Sequence, residues 1–188
     1  RAANGPTRGK ILRPSDGAVP KEVVFIQCVA SRDPDRYQPY CSRVCCMYTA
    51  KQARLYKEQV PDGQPYLFYM DIRSDCKGYE EFIQKTVEEK EVLYLRGRVS
   101  RDYADRGQVR VLGVDTLTGK MVEVAADLVV LATAIVPSPG IKELAARLRA
   151  TVDRHGFMTE AHIKLYPVES STKGIYLAGC GQSPKDIS

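Results

Sequence analysis

The 188-residue sequence contains no tryptophan and only two histidines. It also has no apolar run near the ~20 residues that a helix needs to cross a bilayer. The missing tryptophan decides nothing. The missing apolar run leaves no candidate membrane span, and the opening residues RAANGPTRGK lack the apolar centre of a secretory signal. Six cysteines are too few for a disulfide-built scaffold of this length. The fold must therefore rest on a hydrophobic core, which a 44% hydrophobic composition can supply. Long runs of one charge are absent as well. The net charge of +5 is spread along the chain and acids interrupt the basic stretches, so no nucleic-acid-binding face is expected. Four of the six cysteines crowd into one loop, as in a metal site of a reducing compartment, and a cytoplasmic protein is expected. The chain opens on Arg1 and stops at Ser188, just after a Pro184-Lys185-Asp186 turn, so a piece of a longer protein is expected.

Hydrophobic patterning outlines an α/β protein. Residues 1–20 hold Gly5, Pro6, Gly9, Pro14, Gly17 and Pro20, too many breakers for a regular element, and read as a linker or crossover. Val23-Val24-Phe25-Ile26 is a short apolar, mostly β-branched run of the kind buried in a parallel sheet. Pro39 suits the first turn of a helix, with Cys41, Val44, Cys45, Tyr48, Gln52, Leu55 and Tyr56 on one stripe and an end near Pro61-Asp62-Gly63. A strand at Tyr66-Leu67-Phe68-Tyr69-Met70 follows. After it come a helix with Tyr79, Phe82, Ile83 and Val87 on one face, and a strand at Val92-Leu93-Tyr94-Leu95. From Arg98 to Val124 short alternating runs predict an antiparallel meander, and Leu128-Val129-Val130-Leu131-Ala132 returns to a buried parallel strand. This order, over residues 21–136, is that of a doubly wound nucleotide-binding half-domain. Residues 137–188 differ in kind: Ile141, Leu144, Ala145 and Leu148 predict an amphipathic helix, and residues 174–180 predict a strand entering a glycine turn.

The chemistry concentrates in CVASRDPDRYQPYCSRVCC, where Cys28, Cys41, Cys45 and Cys46 stand in the spacing C-x12-C-x3-C-C. Four thiolates are the usual ligand set of an iron–sulfur cluster. If a helix starts at Pro39, Cys41 and Cys45 share its face and its positive N-terminus favours thiolates, while Cys28 closes the site from the sheet. Arg32, Arg36 and Arg43 add cationic neighbours or are plain surface residues. A structural zinc is the competing occupant, although its usual paired C-x2–4-C spacing fits the adjacent Cys45-Cys46 poorly; plain or redox cysteines are the third reading. Cys76 and Cys180 lie outside the motif and read as incidental thiols, and His155 and His162 as surface or packing residues. One further absence matters. Where a dinucleotide site would place G-x-G-x-x-G after the first strand, the sequence has Gln27-Cys28-Val29-Ala30-Ser31-Arg32, with no glycine. The Gly179-Cys180-Gly181 triplet is a weak match at the wrong place.

The stretches VVFIQCVASRD, YCSRVCCMYTAKQA, YMDIRSDCKGYEEF, RGRVSRD, ADLVVLATAIVP, GF followed by PVES, and GIYLAGCGQSPKDI together resemble the A-subunit of heterodisulfide reductase and its relatives in sulfur metabolism. The resemblance runs from about Gly9 to Ser188. It implies an oxidoreductase flavoprotein of thioredoxin-reductase-like, Rossmann-type architecture, with FAD and [4Fe-4S] clusters. Its tail, residues 137–188, would return to the FAD-binding domain. The family passes electrons between ferredoxin- or hydrogenase-type donors and a disulfide-reducing partner, in some complexes by flavin-based bifurcation. The resemblance assigns Cys28, Cys41, Cys45 and Cys46 to a [4Fe-4S] cluster and Lys51 to the flavin N5 edge, where a cation stabilises reduced flavin. It aligns Ala178-Gly179-Cys180 with the Ala-Gly-Asp that related flavoproteins set against the FAD ribityl chain, with Gln182, Pro184, Lys185 and Asp186 towards the pyrimidine side. Cys180 stands where that Asp is usual, and Cys76 occupies a turn that usually lacks cysteine. The amino-terminal FAD loop and the ferredoxin-like cluster motifs of the family are not in this sequence, so the isolated fragment is expected to be inactive. Outside the family, a non-catalytic zinc- or nucleotide-binding interaction module is the alternative.

Overall fold

The computed structural model describes residues 3–186. Arg1, Ala2, Ile187 and Ser188 lie outside the described residues, and with them the expectations attached to the chain ends. The described chain divides into two units, residues 3–31 with 45–133, and residues 32–44 with 134–186. The first unit runs β1 (Glu22–Val29), α1 (Cys45–Gln59), β2 (Gln64–Tyr69), α2 (Tyr79–Glu88), β3 (Leu93–Arg96), β4 (Val99–Asp105), β5 (Gln108–Asp115), β6 (Lys120–Ala126) and β7 (Leu128–Thr133). The second contains α3 (Ile141–Leu148), β8 (Glu160–His162) and β9 (Tyr166–Ser170). Among the described residues no helix is long and apolar enough to cross a membrane.

β1 is buried on both faces, which is why its sequence is apolar without alternation. It lies inside a four-stranded parallel sheet of order β3-β2-β1-β7, and β4, β5 and β6 form the antiparallel meander. Alternate β1 residues enter two cores. Val23 and Phe25 pack with Leu67, Val92, the α1 residues Ala53 and Tyr56, and Val60 just after α1. Val24 packs on the opposite face with Phe68 and with Val111, Val124 and Ala126 of the meander. The parallel sheet, meander and flanking helices of the sequence reading are thus present.

Two local expectations fail. The first helix starts at Cys45, six residues after Pro39. Arg43 has φ 63°, a left-handed backbone that cannot continue a right-handed helix, so Cys41 precedes the helix and shares no helical face with Cys45. The buried face of α1 is accordingly Cys45, Cys46, Thr49, Ala50, Ala53 and Tyr56, with Gln52 exposed. In the tail, the expected strand over 174–180 reduces to one bridge between Tyr176 and Glu169 and a short 3-10 turn over Gly179–Gly181. The antiparallel hairpin of β8 and β9 has no counterpart among the elements expected from the sequence.

α1 is held at its far end by Tyr56, whose hydroxyl is shared between the carbonyls of Pro20 at 2.9 Å and Lys21 at 2.8 Å, immediately before β1. Burial, with the nearby Glu22, Asp127 and Asp62 carboxylates, pushes the Tyr56 hydroxyl well up from its ordinary range, so it remains a donor. Gly63 leaves room for this ring, because a β-carbon there would lie 1.9 Å from the Tyr56 hydroxyl. Asp127, at the turn before β7, accepts from the backbone N–H groups of Lys21 and Glu22 at 2.8 and 3.1 Å. The starts of β1 and β7 are thereby tied together. Tyr56→Phe is expected to destabilise the first unit by ~1–2 kcal/mol, the effect of leaving a buried carbonyl without its donor. Urea unfolding followed by circular dichroism checks it, and an unchanged midpoint would remove Tyr56 as an anchor.

Candidate functional site

β1 loses its alternation at its carboxyl end. Val23, Phe25 and Gln27 belong by parity to the face that α1 covers, and Cys28 belongs by parity to the other face. The pairing with β7 slips between Ile26 and Val29, where one extra β1 residue forms a bulge, and Cys28 has φ 58°. This left-handed conformation costs a residue with a β-carbon about 1–2 kcal/mol. In return it brings the Cys28 thiol to the N-terminus of α1, where Cys45 hydrogen-bonds with both Cys28 and Cys46. The three thiols are 5%, 2% and 3% exposed in chain order, so they form a dry sulfur group. Ala132 of β7 packs with Cys45 and Cys46, and Tyr48 and Ile72 complete the apolar wall. Of the four cysteines between residues 28 and 46, Cys28, Cys45 and Cys46 are thus buried side by side.

The thiols are electrostatically inequivalent. Cys45 is held far above the ordinary thiol range, first by its hydrogen bond to Cys28, then by that to Cys46 and by burial. Cys46 is lowered, chiefly because it accepts a hydrogen bond from Cys45. No acid occupies the first turn of α1 to offset the positive helix terminus. Cys46 also donates to Gln27 Oε1 at 3.6 Å and has the Asp71 carbonyl at 3.7 Å. Burial pushes the Tyr48 hydroxyl up to about 12, helped by the three neighbouring sulfurs. All six cysteines are thiols. Among the described residues no group of three or more His, Cys, Asp or Glu side chains is arranged to hold a single metal ion.

Cys41 belongs to the other unit, where its Sγ accepts from the Arg43 backbone N–H at 3.2 Å. Arg32 and Arg36 belong to that unit too; the Arg32 N–H donates to the Tyr40 carbonyl and the Arg36 N–H to Asp33. Lys51 is exposed on α1 in the first unit.

Gly179, Cys180, Gln182, Pro184, Lys185 and Asp186, assigned to the ribityl chain and pyrimidine side of the flavin, belong to the second unit, whereas Lys51 does not. Gly179 has φ 55°, and open space lies where a β-carbon would be added at Gly179 or Gly181. The Gly181 carbonyl accepts from the Met158 N–H at 3.0 Å, which fixes the turn from behind. Cys180 is exposed, with its Sγ 3.7 Å from the Lys185 carbonyl. Lys185 Nζ donates to Gln182 Oε1, and Pro184 is buried while Asp186 is exposed. Glu160 is lowered first by the Val168 N–H it accepts and then by Gln182, with Lys185 close by. Of the two histidines, His155 packs edge-on against Tyr40 at 4.7 Å, and His162 Nδ1 accepts the N–H groups of Lys164 and Leu165.

The sequence reading missed Gln27 and the wall residues Tyr48, Ile72 and Ala132 as parts of the sulfur site. Gln27 did carry a signal, being the one amide within the buried run VVFIQCV.

No family model matches the chain. Among curated proteins, it is 47% identical over 186 residues to the A-subunit of the H(2):CoB-CoM heterodisulfide,ferredoxin reductase of Methanothermobacter marburgensis. It is 46% identical to the iron-sulfur A-subunit 2 of the CoB--CoM heterodisulfide reductase of Methanopyrus kandleri. Each match covers 98% of this chain, which spans 28% of the length of each relative. Among solved structures, the thioredoxin reductase of T. acidophilum superposes with a TM-score of 0.54 at 19% identity, over 88% of this chain and 45% of that one. The thioredoxin reductase of Lactococcus lactis gives 0.53 at 15%, over 88% and 46%. The fold is therefore of thioredoxin-reductase type, as the resemblance implied.

Exposure separates the cysteines into reactive and protected groups. Cys76 and Cys180 are expected to alkylate at least roughly tenfold faster than Cys45 and Cys46 in the metal-free folded chain at neutral pH, since a buried cysteine meets the reagent only through local opening. Timed iodoacetamide labelling with peptide mass spectrometry reads this directly. Equal rates would contradict the dry sulfur site.

Proposed function

We propose that this chain, which is similar along nearly its whole length to a portion of the heterodisulfide reductase A-subunit, is an electron-transfer segment of such an oxidoreductase. In this reading Cys28, Cys41, Cys45 and Cys46 hold a [4Fe-4S] cluster, and residues 179–186 contribute part of an FAD site. The observation that carries the proposal is the gathering of Cys28, Cys45 and Cys46 into one buried group at the end of β1. The donor set fits: soft sulfur ligands, a helix N-terminus beside them and a dry apolar wall suit an anionic iron–sulfur group. The open space over Gly179 and Gly181 fits close approach of a cofactor to the backbone. The bound cluster and flavin would supply the one- and two-electron chemistry.

The chain's own contributions follow from position. Cys28 offers a ligand from a strand end, and Cys45 and Cys46 from a helix start. Ala132, Tyr48 and Ile72 exclude water from the sulfurs. Lys51 supplies the cation proposed for the reduced flavin, and Gln182 and Lys185 hold each other in place on the flavin side. In the parent complex, the proposed partners are ferredoxin- or hydrogenase-type donors and a disulfide-reducing subunit. In that complex the flavin is further proposed to bifurcate electrons.

Iron and labile-sulfide analysis of the anaerobically purified full-length protein tests the ligand set. Cys45→Ala is expected to remove about four irons and four sulfides per chain relative to wild type, whereas Cys76→Ser removes none. Stoichiometric zinc without labile sulfide would point to the interaction-module reading and sink the cluster. For the flavin, Lys51→Met is expected to lower the midpoint potential at unchanged flavin content. Spectroelectrochemistry of the same protein checks it, and an unmoved potential would take Lys51 out of the site.

A further inference from the structure

Gln27 has no role in the ligand set, yet it is built into the sulfur site. Its side chain sits in β1 directly before Cys28, 7% exposed, on the strand face that α1 covers. One end of the amide is used, since Oε1 accepts from the Cys46 thiol at 3.6 Å. The other end is not: Nε2 is buried with no hydrogen-bond partner among the described residues. A stranded buried N–H donor is unfavourable, and native structures rarely keep one without a reason. The two ends of a glutamine amide have almost the same shape, so exchanging them needs only a turn about the last side-chain torsion.

Ligation changes what Gln27 faces. A cysteine that ligates iron does so as a thiolate and has no proton to donate. The Gln27 oxygen would then confront an electron-rich sulfur that also has the Asp71 carbonyl 3.7 Å away, two acceptors on one acceptor. Turning the amide resolves both defects at once, because it removes the oxygen and presents the stranded N–H.

We infer that Gln27 is a positioning residue of the cluster, its amide turning to donate an Nε2–H···S hydrogen bond to the Cys46 sulfur or an adjoining sulfide. This rests on the cluster reading above. An N–H···S bond in a dry, low-dielectric pocket stabilises the more negative, reduced state more than the oxidised one, and so raises the reduction potential. Gln27 thereby tunes how readily the cluster accepts an electron, without holding iron itself.

Two measurements on the full-length protein test it, after iron and sulfide analysis has established the cluster. If wild type carries none at Cys28, Cys41, Cys45 and Cys46, the cluster reading fails first, and separately. In the first measurement, Gln27→Met keeps the side-chain length and removes the donor. At the potential where the wild-type cluster is half reduced, the reduced-to-oxidised ratio in this variant is expected to fall about tenfold, a downward shift of about 59 mV for a one-electron couple. Unchanged iron, sulfide and potential would overturn the inference. The second needs no variant at Gln27: wild type grown with glutamine labelled with 15N at the side-chain amide is examined by pulsed EPR in the reduced state. The signal of Cys45→Ala, which lacks this cluster, is subtracted. A 15N coupling in the difference supports the hydrogen bond, and its absence overturns it even where Gln27→Met fails to retain the cluster.

Discussion

The sulfur site depends on the point where β1 stops behaving as a strand. Strict alternation would send Gln27 and Cys28 to opposite faces of the sheet and leave the Cys28 thiol on the meander side. The bulge against β7 and the left-handed backbone at Cys28 turn that residue back towards α1. Strain of this kind persists only where the surroundings fix it. Here they do, because Val23, Val24 and Phe25 are locked between two cores immediately upstream.

The helix has to arrive at the same place, and its position is set mostly from its far end. Ala50 and Ala53, both fully buried, let α1 lie close against the sheet, and Tyr56 ties its last turns to the backbone just before β1. Strand and helix are thus joined at both ends, by the Tyr56 hydroxyl at one and by the thiols at the other. Asp127 adds a third tie by holding the start of β7 to the start of β1. Burying three thiols at this junction removes them from water, and the positive end of α1 without a competing acid leaves the pocket suited to negative charge. The related dinucleotide folds use the same junction, strand end and helix start, for phosphates on a glycine loop. This chain has cysteines there in place of glycines.

Much of the first unit was legible in the sequence because its signals are short-range. Apolar β-branched runs mark the strands of a parallel sheet, and Gly107 and Gly119, with φ 82° and 70°, mark the meander turns. The helix start was misread because Pro39 looked like a first-turn residue, whereas the backbone at Arg43, which decides the matter, leaves no trace in residue type. The β8–β9 hairpin escaped notice for a similar reason. Its strands have three and five residues, and most of their side chains are exposed, so no periodicity stands out.

The sequence by itself determined that four cysteines lie in one segment between a strand and a helix, that no glycine loop stands there for a phosphate, and that the chain is an α/β protein with a meander. Those features depend on residue identity and spacing. Only the tertiary structure decided that Cys28 turns to meet Cys45 and Cys46, that Cys41 precedes the helix, and that Gln27 ends beside Cys46 with its amide nitrogen stranded. The physical reason is that a bulge depends on pairing with a strand about 100 residues away, and burial of an amide depends on what packs over it; neither is encoded in neighbouring residues.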